Sequence, residues 1–140
     1  MNKNEILASM RIAYWIRDVA VTRLVLQWSD IHVYSSSCVE TYIPSSPGVY
    51  QLLCKKDVTY LVFYVGQADN LNKRLKDHLS GIEPSSCIRS NLWYYPCFFL
   101  FAVLEAQSDR DCAERALYDH YRPPCNIVPP PGVPCDINFK

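Results

Sequence analysis

Hydrophobic and polar positions change rhythm several times along this chain. From about Asn4, the residues Ile6, Leu7, Met10, Ala13 and Tyr14 recur at helical spacing, with Arg11 and Arg17 off that face. This predicts a helix that Asn4 could cap. From Val19 to Trp28 β-branched residues crowd in, and the pattern leaves helix and strand both open. Ser35-Ser36-Ser37 and Pro44-Ser45-Ser46-Pro47 read as turns or loop. Two apolar runs follow, Gly48 to Cys54 and Val58 to Gly66, with Lys55-Lys56-Asp57 between them. Such runs around a short polar break predict a β-hairpin. Alternation then puts Tyr50, Leu52 and Cys54 on one face of the first strand, and Tyr60, Val62 and Tyr64 on one face of the second.

Beyond the hairpin the period returns to four. Leu71, Leu75 and Leu79 predict a helix opened by Asn70 and stopped near Gly81, with Arg74 and His78 one turn apart. Residues 81–91, with Pro84, Ser85 and Ser86, read as loop. Cys97 to Glu105 suits a buried strand. A last helix is expected over Asp111 to Tyr121, capped by Ser108 or Asp109 and ended by Pro123 and Pro124. The Pro-rich stretch from Val128 favours extended, surface-lying chain. The expected organisation is an extension over 1–41, helical in part, a domain over 42–127, and a tail over 128–140.

Composition narrows the class. At 140 residues and 49% hydrophobic content, the chain suits one domain with a real core. Lys+Arg and Asp+Glu both total 14, which weakens a nucleic-acid reading without excluding it, and any such contact must come from a local patch. The 7 cysteines include no Cys-x-x-Cys pair, a poor framework for disulfides or zinc, and buried thiols are expected. No stretch suits a bilayer span or a signal peptide. The expectation is a cytoplasmic, reduced protein with no membrane contact.

An ordered set of residues carries candidate chemistry. Gly48-Val49-Tyr50 is followed by Tyr64-Val65-Gly66, then by Asn70-Leu71 ahead of Arg74, with His78 one turn on. Glu114 on the last helix, Tyr121, Pro123 or Pro124 and Asn126 complete the order. From Pro47 to about Asn126 the chain resembles the GIY-YIG nuclease family. The resemblance implies an α+β fold, a three-stranded antiparallel sheet flanked by helices. It also implies a divalent-metal-dependent endonuclease cutting DNA, as in repair, restriction or mobile elements.

The residue types suit that chemistry. A phosphodiester is anionic and unreactive, so water must be activated and charge neutralised at phosphorus. By the resemblance, Glu114 is the ligand to Mg²⁺ or Mn²⁺, because a hard cation prefers carboxylate oxygen. The bland alternative is a surface carboxylate paired with Arg110 or Arg115. Arg74 would clamp the phosphate with its planar, permanently charged fork, against the alternative of a solvated basic face shared with Lys73 and Lys76. Tyr50 would act as general base or orient the water, which needs its pKa near ~10 to be lowered. Tyr64 would share that network; both tyrosines could otherwise be packing residues. His78 would exchange a proton beside Tyr50. Asn126 would bond the phosphate or fix its loop. Trp93-Tyr94-Tyr95 could stack on unpaired bases but suits a strand rim. The implied partner is DNA, including branched or single-stranded forms, and residues 1–41 could bind a protein partner or a second copy. The competing class is a nuclease-like module that binds nucleic acid without turnover.

Overall fold

The computed structural model describes residues 8–16 and 19–139. Its centre is a mainly long-stranded antiparallel sheet built from β3 (His32–Val33), β4 (Gly48–Lys56), β5 (Thr59–Ala68) and β6 (Cys97–Val103), ordered β3-β6-β4-β5. β4 pairs on both sides, and every residue from Gly48 to Cys54 is buried. That burial on both faces explains why its sequence is a continuous apolar run. On one face Tyr50, Leu52, Phe63 and Phe99 pack against α1 (Ser36–Tyr42), α2 (Leu71–Leu79) and α3 (Ser86–Tyr94) through Val39, Leu71, Leu75 and Ile88. On the other, Val49, Val65 and Ala102 pack on α4 (Gln107–Tyr121) through Ala113 and Leu117. The three expected long strands are present, and β3 adds a short fourth at one edge.

The β4–β5 hairpin turns at Asp57 and Val58, with Asp57 in the left-handed region at φ 57°. Lys55 and Lys56, expected in the turn, instead continue β4 opposite Tyr60 and Thr59. Pairing runs Tyr50↔Gly66 and Leu52↔Tyr64, then shifts so that Leu53 faces Val62. The extra residue, Phe63, is a β-bulge that breaks strict alternation. Val62 therefore packs with the α4 side while Tyr64 packs with the Tyr50 side, so Tyr60, Val62 and Tyr64 do not share one face.

The helical expectation for the first segment is overturned within the described residues. β1 (Met10–Ile16) and β2 (Val19–Val25) form an antiparallel hairpin, and β7 (Asp136–Ile137) joins β2 in parallel. Ile12, Val25 and their β-branched neighbours favour the pleated surface, and tertiary pairing outweighs the helical spacing. The Asn4 cap lies outside the described residues. Serines read as punctuation prove to be caps: Ser35 accepts from the Cys38 N–H at the start of α1, and Ser85 from the Ile88 N–H at the start of α3. α3 replaces much of the loop expected over 81–91. α4 begins earlier than expected, after Ala106, with no side-chain cap, and closes with Arg122 at φ 47° ahead of the prolines.

The cysteine expectation also fails in part. Cys87 bonds Cys125 and Cys112 bonds Cys135, each pair with Cα atoms 5.4 Å apart, while Cys38, Cys54 and Cys97 are free. Spacing could not show this, because each pair is joined by the fold across unrelated segments. The Cys112–Cys135 bridge, the β2–β7 pairing and a bond from Arg115 to the Pro130 carbonyl hold the tail against α4 and β2. Among the described residues no helix is long and apolar enough to cross a membrane.

Candidate active site

Side chains from β4, β5 and α2 converge beside the hairpin. Tyr50 lies opposite Gly66, and a Cβ there would stand 2.5 Å from the Tyr50 hydroxyl. The Tyr50 hydroxyl is 2.7 Å from His78 Nε2, and His78 Nδ1 is 2.9 Å from Glu83 Oε2. A carboxylate can only accept, so Nδ1 carries the proton and Nε2 accepts from the Tyr50 hydroxyl. Tyr50, His78 and Glu83 are 1%, 1% and 4% exposed, so this chain of three polar groups is nearly buried, with Glu83 at the wall of an adjoining cleft.

α2 is fixed from several sides, which sets Arg74 and His78. Leu71 and Leu75 are fully buried, each contributing about 1.5–3 kcal/mol. Asn70 caps the helix by accepting from the Lys73 N–H. Buried Asn72 donates to the Val39 and Ile43 carbonyls at 3.3 and 2.8 Å, and Tyr34 donates to the Leu75 carbonyl at 2.6 Å. On the outer side Lys73 pairs with Asp77 and Lys76 with Glu40.

Burial and Arg74 set the electrostatics. Burial pushes the Tyr50 phenol well above its ordinary range, with nearby Tyr64 adding to this and Arg74 opposing it. Tyr64 is also raised by burial, and the nearby charge of Arg74 opposes the rise. Burial alone would lower Arg74, but Tyr50, Tyr64 and Glu83 outweigh it and hold the guanidinium more firmly charged. His78 is lowered by burial and then by Arg74, with Glu83 acting the other way. Tyr50 therefore rests as a neutral phenol, not as a stored phenolate.

α4 brings the expected metal ligand to the same region. Glu114 is half-buried, its Oε1 accepting from Gln67 Nε2 at 3.1 Å, and its charge acts on both Tyr50 and Tyr64. Burial raises its carboxyl, Gln67 opposes and neighbouring Asp111 adds to the rise. Pairing with Arg110 or Arg115 is not observed. Arg110 bonds Asp69, Gln107 and the carbonyls of Leu104 and Glu105, and Arg115 bonds Asp119 and Pro130. A half-buried carboxylate in this position fits a hard cation that keeps most of its water shell. Among the described residues no group of three or more His, Cys, Asp or Glu offers an all-protein metal cage.

Asn126 holds its own segment through both ends of its side-chain amide. Its Oδ1 accepts from the Val65 N–H and its Nδ2 donates to the Val65 carbonyl, both at 2.9 Å. With the Cys125 N–H on the Phe63 carbonyl, it holds the segment after α4 along the free edge of β5. Tyr64, Arg74, Glu83 and Asn126 line one cleft of about 460 Å³, closed on one side by the Cys87–Cys125 bridge. A cleft of about 490 Å³ over Arg11, Cys112 and Asp136 contains none of the expected site residues.

Two polar residues of the site carry little sequence signal. Gln67 follows the second Tyr/Gly tripeptide directly and holds both Glu114 and Asp111, the latter at 2.8 Å. Its adjacency to that motif is the one available hint. Glu83 sits in an irregular segment and nothing in its neighbours points to His78.

A model of the GIY-YIG catalytic domain matches residues 46–126. Among curated proteins none matches the chain. Among solved structures, the chain is similar to the GIY-YIG N-terminal endonuclease domain of UvrC from Thermotoga maritima. A Tyr-to-Phe point mutant of that domain, bound to its catalytic divalent cation, gives a TM-score of 0.47 at 24% identity, covering 61% of this chain and 88% of that one. The magnesium-bound form gives 0.46 at 24% identity with the same coverage.

Proposed function

This chain belongs to the GIY-YIG family, its catalytic domain matching residues 46–126, and on that premise we propose that it is a divalent-metal-dependent endonuclease hydrolysing phosphodiester bonds in DNA. The observation that carries this reading is a cleft lined by Arg74 and Tyr64, with Tyr64 packed beside Tyr50, whose hydroxyl lies 2.7 Å from the buried His78 Nε2. Packing alone gives no reason to bury that polar set beside an open cleft.

Arg74 clamps the scissile phosphate through its non-bridging oxygens, and Tyr64 donates to the same group or to the attacking water. Tyr50 accepts the proton of that water as its own proton passes to His78 Nε2. This transfer suits a phenol whose pKa is raised, because no phenolate has to persist. Glu114 holds Mg²⁺ or Mn²⁺, with Gln67 orienting its carboxylate. The cation, when bound, supplies charge neutralisation at the phosphate and the leaving oxygen. Asn126 keeps the cleft wall in register along β5.

The zero net charge suits substrate capture by a local patch or a partner. A protein partner or second copy on residues 1–41 is tested by solution mass with and without them. Activity is tested by incubating the protein with supercoiled plasmid and with branched and single-stranded oligonucleotides, adding Mg²⁺, Mn²⁺ or EDTA. Nicking that needs the metal and is lost in Glu114→Gln and Arg74→Ala supports the proposal. No cleavage by the parent, or equal cleavage by both variants, overturns it. Binding without cleavage would favour the non-catalytic module.

A further inference from the structure

We propose that Glu83 is a positioning residue for the reaction, holding His78 as the Nδ1–H tautomer so that Nε2 can receive the Tyr50 proton. The inference rests on the nuclease reading above. Its basis is a continuous buried line of three groups: Tyr50 Oη to His78 Nε2 at 2.7 Å, and His78 Nδ1 to Glu83 Oε2 at 2.9 Å. A neutral imidazole has one donor and one acceptor nitrogen, and the tautomer follows the partner that can only accept. Without Glu83, the ring could carry its proton on Nε2 and point a donor at the Tyr50 oxygen, blocking transfer.

Glu83 is itself held in place. Its Oε1 accepts from the Ser85 N–H at 3.2 Å, its own N–H donates to the Ser80 carbonyl at 3.3 Å, and its carbonyl accepts from Arg89. The carboxylate is aligned before any substrate arrives, so little reorganisation accompanies proton transfer. It also answers the positive charge. As water loses a proton to Tyr50 and Tyr50 loses one to His78, hydroxide bonds to phosphorus, the ester P–O bond breaks and the leaving oxygen is protonated from solvent. The imidazolium formed at His78 stands near cationic Arg74, and Glu83 is the anion in contact with it.

The groups that bear on His78 are Arg74 and Asp77 from its own helix, Tyr50 from β4, Tyr64 from β5 and Glu83 from the following segment. Tyr34 and Glu114 act one step further out, through Tyr50. Glu83 is the one whose replacement by Gln removes a charge while preserving an acceptor for Ser85.

The test joins kinetics of Glu83→Gln and Glu83→Asp with ¹⁵N NMR of the His78 ring. The parent ring is expected as the Nδ1–H tautomer. Glu83→Gln is expected to lower kcat about 10²-fold with little change in KM, a loss within the range of acid–base assistance. It should also move the acid limb of the kcat profile to lower pH, because imidazolium loses its counter-charge. Glu83→Asp should restore part of kcat. An Nε2–H tautomer in the parent, or an unchanged acid limb and kcat in Glu83→Gln, would overturn the role. If the parent cleaves nothing, the nuclease reading fails, and the ring spectra of parent and Glu83→Gln alone judge Glu83.

Discussion

The Tyr50 hydroxyl and His78 Nε2 lie 2.7 Å apart, so the first part of β4 and the last turn of α2 share one buried hydrogen bond. Tyr64 instead lines the open cleft beside Arg74. The two phenols thus have different access to solvent and different partners. Tyr50→Phe is expected to lower cleavage at least about 10²-fold. It should also cost about 1–3 kcal/mol of stability by leaving His78 without that partner. Single-turnover rates and chemical denaturation measure both. A larger rate loss in Tyr64→Phe than in Tyr50→Phe would make Tyr64 the proton acceptor.

Gly66 makes room for that hydroxyl. Gly66→Ala places a methyl 2.5 Å from the Tyr50 oxygen and forces the ring off His78. The expected destabilisation is about 1–3 kcal/mol, from overpacking, with a loss of cleavage as large as in Tyr50→Phe. A variant as active and as stable as the parent would show that the ring has another place to go.

Glu114 sets function against stability. Its carboxyl is raised by burial, so the charged form is disfavoured in the folded state. Its contribution to stability is greatest below the ordinary value of 4.5 and is lost as pH rises through the higher folded value. Glu114→Gln is therefore expected to raise the melting temperature at pH ~7 and to make little difference below pH ~4. Added Mg²⁺ should raise the melting temperature of the parent and not of the variant. Thermal scans across pH, with and without the metal, read all three effects.

His78 has the opposite linkage. Its folded pKa lies below the ordinary 6.5, so its stabilising effect is complete above that value. It is lost progressively as pH falls below 6.5 and is gone beneath the folded value. Urea midpoints should decline more steeply below pH ~6.5 in the parent than in His78→Gln. Parallel declines would mean that another group controls the acid side.

The paired cysteines make a claim that sequence reasoning opposed. An intact-mass measurement without reductant is expected to fall short of the reduced mass by the hydrogens of two disulfides. Cys135→Ser should cost about 2–4 kcal/mol under oxidising conditions and nothing once the parent is reduced. A cytosol holds such pairs as thiols, so rapid thiol trapping in cells also tests the cytoplasmic expectation.

Much of the fold could be read from local pattern. The hairpin, α2, the third long strand and the stop of α4 were legible because each is set by period, caps or proline within a few residues. The first segment departs from its helical spacing because Met10 and Tyr14 pair with Val25 and Val21 in the β1–β2 hairpin, a pairing that helical periodicity does not reveal. α1 and α3 were hidden because a serine that caps a helix looks the same in sequence as one that fills a turn.

By itself the sequence, through its resemblance to a family, put six candidate residues in order, Tyr50, Tyr64, Arg74, His78, Glu114 and Asn126, but neither Gln67 nor Glu83. Only the tertiary structure decided their partners. Packing of α2 on α1 and the sheet brings His78 to Tyr50, and the segment after α2 returns Glu83 to the ring. The Phe63 bulge turns Tyr64 toward Tyr50, and the β5 edge takes both ends of the Asn126 amide. The physical reason is range. Periodicity and capping act over a few residues, whereas a buried hydrogen bond is chosen by what the whole core leaves within 3 Å of it.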